Sequence, residues 1–237
     1  MFIRLSEIKA GVKAGIPIAI GYVPIAVTFG LLSKGNGIPN YITMLLSFLL
    51  YAGASQFIGV KMIGIGASPF EIIFTTFILN LRHFLMSSTI SQRIEKGGSK
   101  RFMAILAFGI TDESFAVATM HKKGEINASF LLGLNIFAYS SWNLGTWIGL
   151  FLAEGLPKIL VNSMGIALYV MFTGLLVPNI RKSKSIFGVV MISMVTNAIL
   201  SMISCPTSWG IIISTIVGAG VGTIVFKEET GGEPKHE

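Results

Sequence analysis

Charge is scarce in this sequence. Only 12% of its 237 residues are Asp, Glu, Lys or Arg, against about 25% in a soluble domain. That leaves too little polar surface to cover a water-soluble globule. With 52% hydrophobic residues and a mean hydropathy of +0.75, the composition predicts a polytopic membrane protein. Cysteine is nearly missing: Cys205 stands alone, which excludes an intrachain disulfide and a thiolate metal cluster. His83, His121 and His236 lie in unrelated contexts, so no zinc or haem site is expected. The sequence has no HExxH, no Gly-rich phosphate loop with its Lys, and no convincing Ser–His–Asp set. Neither an enzyme nor a cofactor is expected. No small-residue cleavage site closes a short apolar core near Met1, so the first apolar run is expected to stay in the mature chain.

What the chain has instead is eight apolar runs, at 14–33, 41–63, 69–92, 102–120, 128–153, 159–179, 185–204 and 208–226. Each is near the roughly 20 residues that cross the hydrocarbon core. Backbone in lipid must bond to itself, so each run is expected to be helical. The fold class expected is an all-α transmembrane bundle of about seven to eight segments, with broken helices. It forms one membrane domain, 1–227, and leaves a polar tail, 228–237, expected to be disordered. The high count of 27 glycines suits close helix packing.

The net charge of +7 does not point to nucleic acid, because the basic residues form no single stripe. They cluster between runs: Arg4, Lys9 and Lys13; Arg93, Lys96, Lys100 and Arg101; Lys122 and Lys123; Arg181, Lys182 and Lys184. Loops at a bilayer surface look like this. The clusters before run one, after run three and after run six are each separated by three runs. If every run crossed, they would alternate sides, against the positive-inside tendency. A re-entrant or broken segment would remove the conflict. The halves also resemble each other. Pro39 to Tyr51 and Pro157 to Tyr169 both span 12 residues, and FGLL…GIP (29–39) resembles IGLF…GLP (148–157). These matches suggest repeats over 14–120 and 128–226, with Asn197 the mate of Asn80.

Polar residues inside the runs are the candidate site. On insertion scales a central Arg costs about 2.5–3.5 kcal/mol, while each Leu, Ile, Phe or Val gains about 0.3–0.6. Residues 70–90 hold 11 of those four types, worth roughly 5 kcal/mol. Arg82 alone cancels more than half of that, and Asn80 and His83 stand beside it. On a helix Thr76, Asn80, His83 and Ser87 share one face, while Arg82 points about 200° from Asn80. Arg82 then needs its own acidic partner, or the helix is irregular. Run four supplies the acid in GITDESFA (109–116), where Asp112 and Glu113 are the mid-run carboxylates. Asp112 is the first choice of partner and Glu113 the second. The acid left over, facing a cavity, can take and release a proton; a permanent salt bridge is the plainer alternative.

Three further places qualify. Run one, GIPIAIGYVPIAVTFG (15–30), carries Pro17 and Pro24, which remove backbone donors beside Tyr22. Freed carbonyls there could line a cavity, or the segment is an ordinary Pro-kinked helix. Run two, YAGASQF (51–57), has small residues that admit another backbone, then Ser55 and Gln56. These two either meet substrate or join helices. Run five, NIFAYSSWNLGTW (135–147), offers Asn135, Tyr139, Ser140, Trp142 and Asn143, which also reads as an interfacial aromatic belt.

Four of these stretches together resemble the AzlC family, the large subunits of bacterial branched-chain amino-acid exporters: GYVPIAVTFG (21–30), AGASQF (52–57), NLRHFLM (80–86) and TDESFA (111–116). The resemblance runs in order over about residues 10–226. It implies a multi-pass protein of the cytoplasmic membrane, a small AzlD-type membrane partner, and export of branched-chain or other small neutral amino acids. The reading is therefore a secondary transporter subunit, probing its substrate with Tyr22, Pro24, Ser55, Gln56, Asn80, Arg82 and His83. Proton coupling or an ion pair falls to Asp112, Glu113 and Arg82. The alternative is a non-transporting structural or channel-like membrane subunit, whose polar residues only hold helices together.

Overall fold

Helices approach closely where side chains are small, and glycine sets the main contact of this protein. The computed structural model describes residues 4–95, 98–121, 125–151 and 183–225 without interruption, with scattered positions between 157 and 181. Helix α1, Leu5–Gly35, lies along α7, Ala128–Phe151. A Cβ on Gly11 or Gly30 would strike the α7 backbone, and one on Gly133 or Gly149 would strike that of α1. Ile8 sits opposite Gly133, Val23 opposite Gly145 and Val27 opposite Gly149, so the two helices run parallel. Their shared start is tied by the Arg4 N–H, which donates to Ser129 Oγ at 3.1 Å. Pro17 and Pro24 do not interrupt α1. The apolar face Ile18, Ile25, Ala26 and Phe29 is buried and holds the helix through the missing hydrogen bonds.

The second apolar run folds back on itself. Helix α2, Asn40–Leu45, continues as a π-helical turn, Leu46–Leu50, and stops at Tyr51, whose backbone is left-handed at φ 42°. Helix α3, Gly53–Gly64, then returns. Asn40 follows closely on the end of α1, and Gly64 faces the side chain of Asn36, so both roots of this hairpin lie at the α1 C-terminus. Its tip reaches Tyr139 and Trp142, midway along α7.

The fourth run does the same from the opposite end. Helices α5, Lys100–Phe108, and α6, Asp112–His121, are bent by 115° about Gly109–Thr111. Near the roots, Ile94 bridges to Ile126, and His121 stacks on Phe130 with ring centroids 4.1 Å apart, beside the α7 start. At the tip, Asn135 Nδ2 donates to the Leu106 carbonyl at 2.9 Å and Gly109 packs against Asn135. Helix α4, Pro69–Arg93, is continuous, and its last half runs from the first hairpin's tip to the roots of the second.

The residues group into two compact units, 1–68 with 79–168, and 69–78 with 169–237. Within the second, α8, Lys184–Met202, and α9, Thr207–Val225, pack antiparallel, with Gly218 against Ser193 and Gly222 against Val189. Asn197 faces Gly210, and Phe74 meets Trp209 at 6.3 Å between ring centroids.

The protein is thus all-helical apart from one isolated bridge among the described residues. Of the seven to eight membrane segments expected, two helices there are long and apolar enough to cross a bilayer, Leu5–Gly35 and Lys184–Met202; counting the bent pair as one span makes three. The shortfall has a physical cause. Helices α4 and α7 have 25 and 24 residues, but Asn80, Arg82 and His83 in one and Asn135 and Asn143 in the other dilute their apolarity. Most of run six and the tail 228–237 lie outside the described residues.

Candidate functional site

The two hairpin tips meet around the middle of α1. Tyr22 is buried there, and its hydroxyl donates to a Glu113 carboxylate oxygen and lies 2.7 Å from Thr111 Oγ1. Tyr51, at the first tip, packs its ring 6.2 Å from Phe108 and 4.9 Å from Tyr139, and lies within electrostatic reach of Glu113. Trp142 stands edge-on to Tyr22 at 5.3 Å and covers Gly53, the first residue of α3. Buried aromatic rings and one carboxylate therefore surround the place where two half-helices begin.

Those two beginnings differ. Helix α6 caps itself: the Thr111 N–H donates to Ser114 Oγ at 2.8 Å, and the Ser114 N–H returns a bond to Thr111 Oγ1 at 3.3 Å. This reciprocal arrangement is a capping box with Ser as the distal member. Asp112 and Glu113 also place two negative charges in its first turn, where the helix dipole favours them. Helix α3 has no acidic residue in its first turn, and Ala52 supplies no side-chain cap.

Helix α4 turns one polar face to each tip. Asn80 Oδ1 accepts from Ser55 Oγ at 2.7 Å, in the first turn of α3. Arg82 Nη1 lies 2.6 Å from Asp112 Oδ2, in the first turn of α6. No irregularity of α4 is needed, because different half-helices answer the two directions. His83 is half-buried, within electrostatic reach of Arg82 and Asp112, and makes no hydrogen bond to a described residue.

The other residues singled out in the sequence divide. Gln56 is 1% exposed; its Nε2 donates to Ser47 Oγ at 3.1 Å, and Ser47 Oγ lies 2.8 Å from Thr146 Oγ1. This chain joins both arms of the first hairpin to α7, as polar glue in a helical bundle does. Only Gln56 Oε1 is left without a partner. Pro24 is half-buried, and its carbonyl accepts from Thr28 Oγ1 at 3.0 Å. Trp142 is 3% exposed at the centre of α7, not in an interfacial belt. Tyr51 was not among the sequence candidates, and Trp142 was named only within the polar-aromatic patch of run five, not as a substrate contact. Their signal was present in part: Tyr51 immediately precedes the small-residue stretch, and Trp142 sits deep within a long run.

The comparisons with known proteins cover this site. A family model described as AzlC protein matches residues 17–156, which include every residue of the two tips. An uncharacterized membrane protein of Archaeoglobus fulgidus is 36% identical over 175 residues, 73% of this chain and 76% of the relative. Inner membrane protein YgaZ of Escherichia coli is 29% identical over 221 residues, 90% of this chain and 87% of its own. The branched-chain amino acid transport protein AzlC of Bacillus subtilis is 24% identical over 136 residues, 56% of this chain and 53% of its own. No solved structure matches the chain.

Proposed function

We propose, from the premise that this chain belongs to the AzlC family, that it is the membrane subunit of a secondary transporter exporting branched-chain or other small neutral amino acids. The observation that carries the reading is the meeting of two interrupted helices at one buried polar cluster, Tyr22, Thr111 and Glu113 beside Tyr51 and Trp142. Broken helices that meet at mid-depth are a recurrent way for transporters to hold a small polar solute in an apolar surround. The name of the Bacillus subtilis relative supplies the substrate class.

The coupling ion in this reading is the proton, carried by Glu113. Asp112 is occupied by Arg82, whereas Glu113 is bonded by the Tyr22 hydroxyl and faces no cation at that bond, so it can change its protonation state without leaving a buried cation unmatched. Glu113→Gln is expected to abolish uptake driven by a pH gradient while leaving leucine–leucine exchange measurable. Loss of both with normal protein levels would leave Glu113 a role in substrate binding alone. The protein lies in the cytoplasmic membrane as a multi-pass chain, with a small AzlD-type subunit beside it. The end holding Arg4, Lys9, Arg93, Lys100 and Arg101 faces the cytoplasm by the positive-inside rule.

Counterflow of labelled leucine in proteoliposomes, with and without the small subunit, tests the reading. Accumulation against unlabelled leucine supports a carrier. The absence of flux in both preparations would leave the alternative, a structural or channel-like subunit. The Gln56–Ser47–Thr146 chain is the observation that favours that alternative.

A further inference from the structure

The start of α3 holds hydrogen-bond donors that the protein does not use. Residues Gly53, Ala54 and Ser55 precede the first backbone bond of the helix, from the Gln56 N–H to the Ala52 carbonyl at 2.9 Å. No hydrogen bond joins their N–H groups to a described residue. Ser55 is buried, at 0% exposed, and Gly53 and Ala54 are half-buried. Two side-chain donors beside this turn are also buried, the Trp142 Nε1–H without a partner and the Tyr51 hydroxyl with only the Tyr22 hydroxyl close to it, each on a residue 3% exposed. The Trp142 ring lies directly on Gly53. A Cβ built there would come 2.8 Å from Cη2, at the tip of the ring, and 3.3 Å from Cζ2, an atom two bonds from Nε1. Tyr51 is two residues from Gly53 in the chain, and Glu113 lies within its electrostatic reach.

Unused donors gathered at a helix N-terminus call for an anion. The neighbouring half-helix shows what such a start looks like when satisfied: α6 has its capping box and two carboxylates, while α3 has neither. Resting on the amino-acid transport reading, we infer that the first turn of α3, with Trp142 Nε1 and Tyr51 Oη, is the subsite for the substrate's α-carboxylate. The α-ammonium then faces Glu113, which shares the Tyr22 hydroxyl across the same cluster. Arg82, the obvious cation for a carboxylate, is held by Asp112. Two dipoles of one sign with a carboxylate on only one of them make a site matched to a zwitterion.

The test is direct binding of labelled leucine to the full-length chain in detergent, with unlabelled competitors, alongside flux in proteoliposomes. Leucinamide has the same shape and ammonium but no carboxylate. It is expected to compete about 10- to 100-fold more weakly than leucine, the range for losing a hydrogen bond to a charged group. Trp142→Phe keeps a ring and removes the donor. It is expected to weaken leucine about 10-fold and to leave leucinamide unchanged, narrowing the ratio. Tyr51→Phe is the second variant, should Trp142→Phe not fold. A merely structural role would lower both ligands together. Leucinamide competing as well as leucine, or a ratio unmoved in a folded variant, overturns the subsite and leaves the transport reading standing. Carboxylate-dependent binding without flux supports the subsite and removes the transport reading. A chain that binds no neutral amino acid overturns both.

Discussion

Asn80 and Arg82 leave α4 in directions about 200° apart, and both find partners because two separate half-helices flank it. The ion pair is only partly enclosed, with side chains 32% and 26% exposed for Arg82 and Asp112. Its worth should therefore fall between the at most about 1 kcal/mol of an exposed pair and the about 3–5 kcal/mol lost on breaking a buried one. A double-mutant cycle of Arg82→Ala with Asp112→Ala, read by thermal unfolding in detergent, is expected to give about 2 kcal/mol of coupling. The cycle of Arg82 with Glu113 should stay near zero, since Glu113 bonds to Tyr22. Equal coupling to both acids would mean the pair exchanges partners, and the separate assignment of Glu113 to the proton would fall.

At the scale of elements, glycine decides where helices touch. The α1–α7 contact places Gly149 against the Val27 carbonyl and Gly133 against that of Ile8, where a methyl group meets backbone that cannot turn aside. Gly149→Ala should cost about 1–3 kcal/mol through overpacking. Gly21 lies in the same α1 with nothing within 4 Å of a Cβ, so Gly21→Ala should be neutral or stabilise by up to about 1 kcal/mol through helix propensity. Unfolding temperatures of the two variants check the contrast; a loss as large at Gly21 would show that its backbone, not the contact, is what matters. The hairpins follow the same economy. Tyr51 accepts a left-handed backbone, and Ala52–Gly53 lets Trp142 close over the turn.

For the first unit as a whole, the two hairpins reconcile charge with topology. Run two enters and leaves at the α1 C-terminus, and the last half of α4 leads back toward the α1 start, so runs one to three return the chain to its starting end. Run four enters and leaves at that starting end, and α7 departs from it parallel to α1. Arg4, Lys9, Arg93, Lys100 and Arg101 then share one end, while Lys34 and Lys61 lie toward the other. Single cysteines placed in a Cys205→Ser background should report this. Lys100→Cys and Glu125→Cys should react with an impermeant maleimide from the same face, and Gly35→Cys and Ile65→Cys from the opposite one. Labelling of Lys100→Cys and Glu125→Cys from opposite faces would make α5–α6 a crossing and restore the charge conflict.

Composition alone settled that the chain is helical and belongs in a membrane, because too few charges and long apolar runs leave no other way to satisfy the backbone. Motif residues marked where polar groups interrupt lipid-soluble segments, and the need of Arg82 for an acid was legible because its insertion cost has a sign and a size. Which acid it meets could only be ranked, Asp112 before Glu113, since the two are neighbours in sequence and about 100° apart on a helix; the structure pairs it with Asp112. Nor could run length distinguish a straight span from a hairpin: 41–63 and 102–120 are as long and as apolar as a crossing segment. Their direction is fixed by contacts nearly 30 or more residues away, Gly64 on Asn36, Asn135 on Leu106 and Trp142 on Gly53. Those contacts also turned Tyr51 and Trp142 inward, because a ring's burial depends on what packs over it and not on its place in a run.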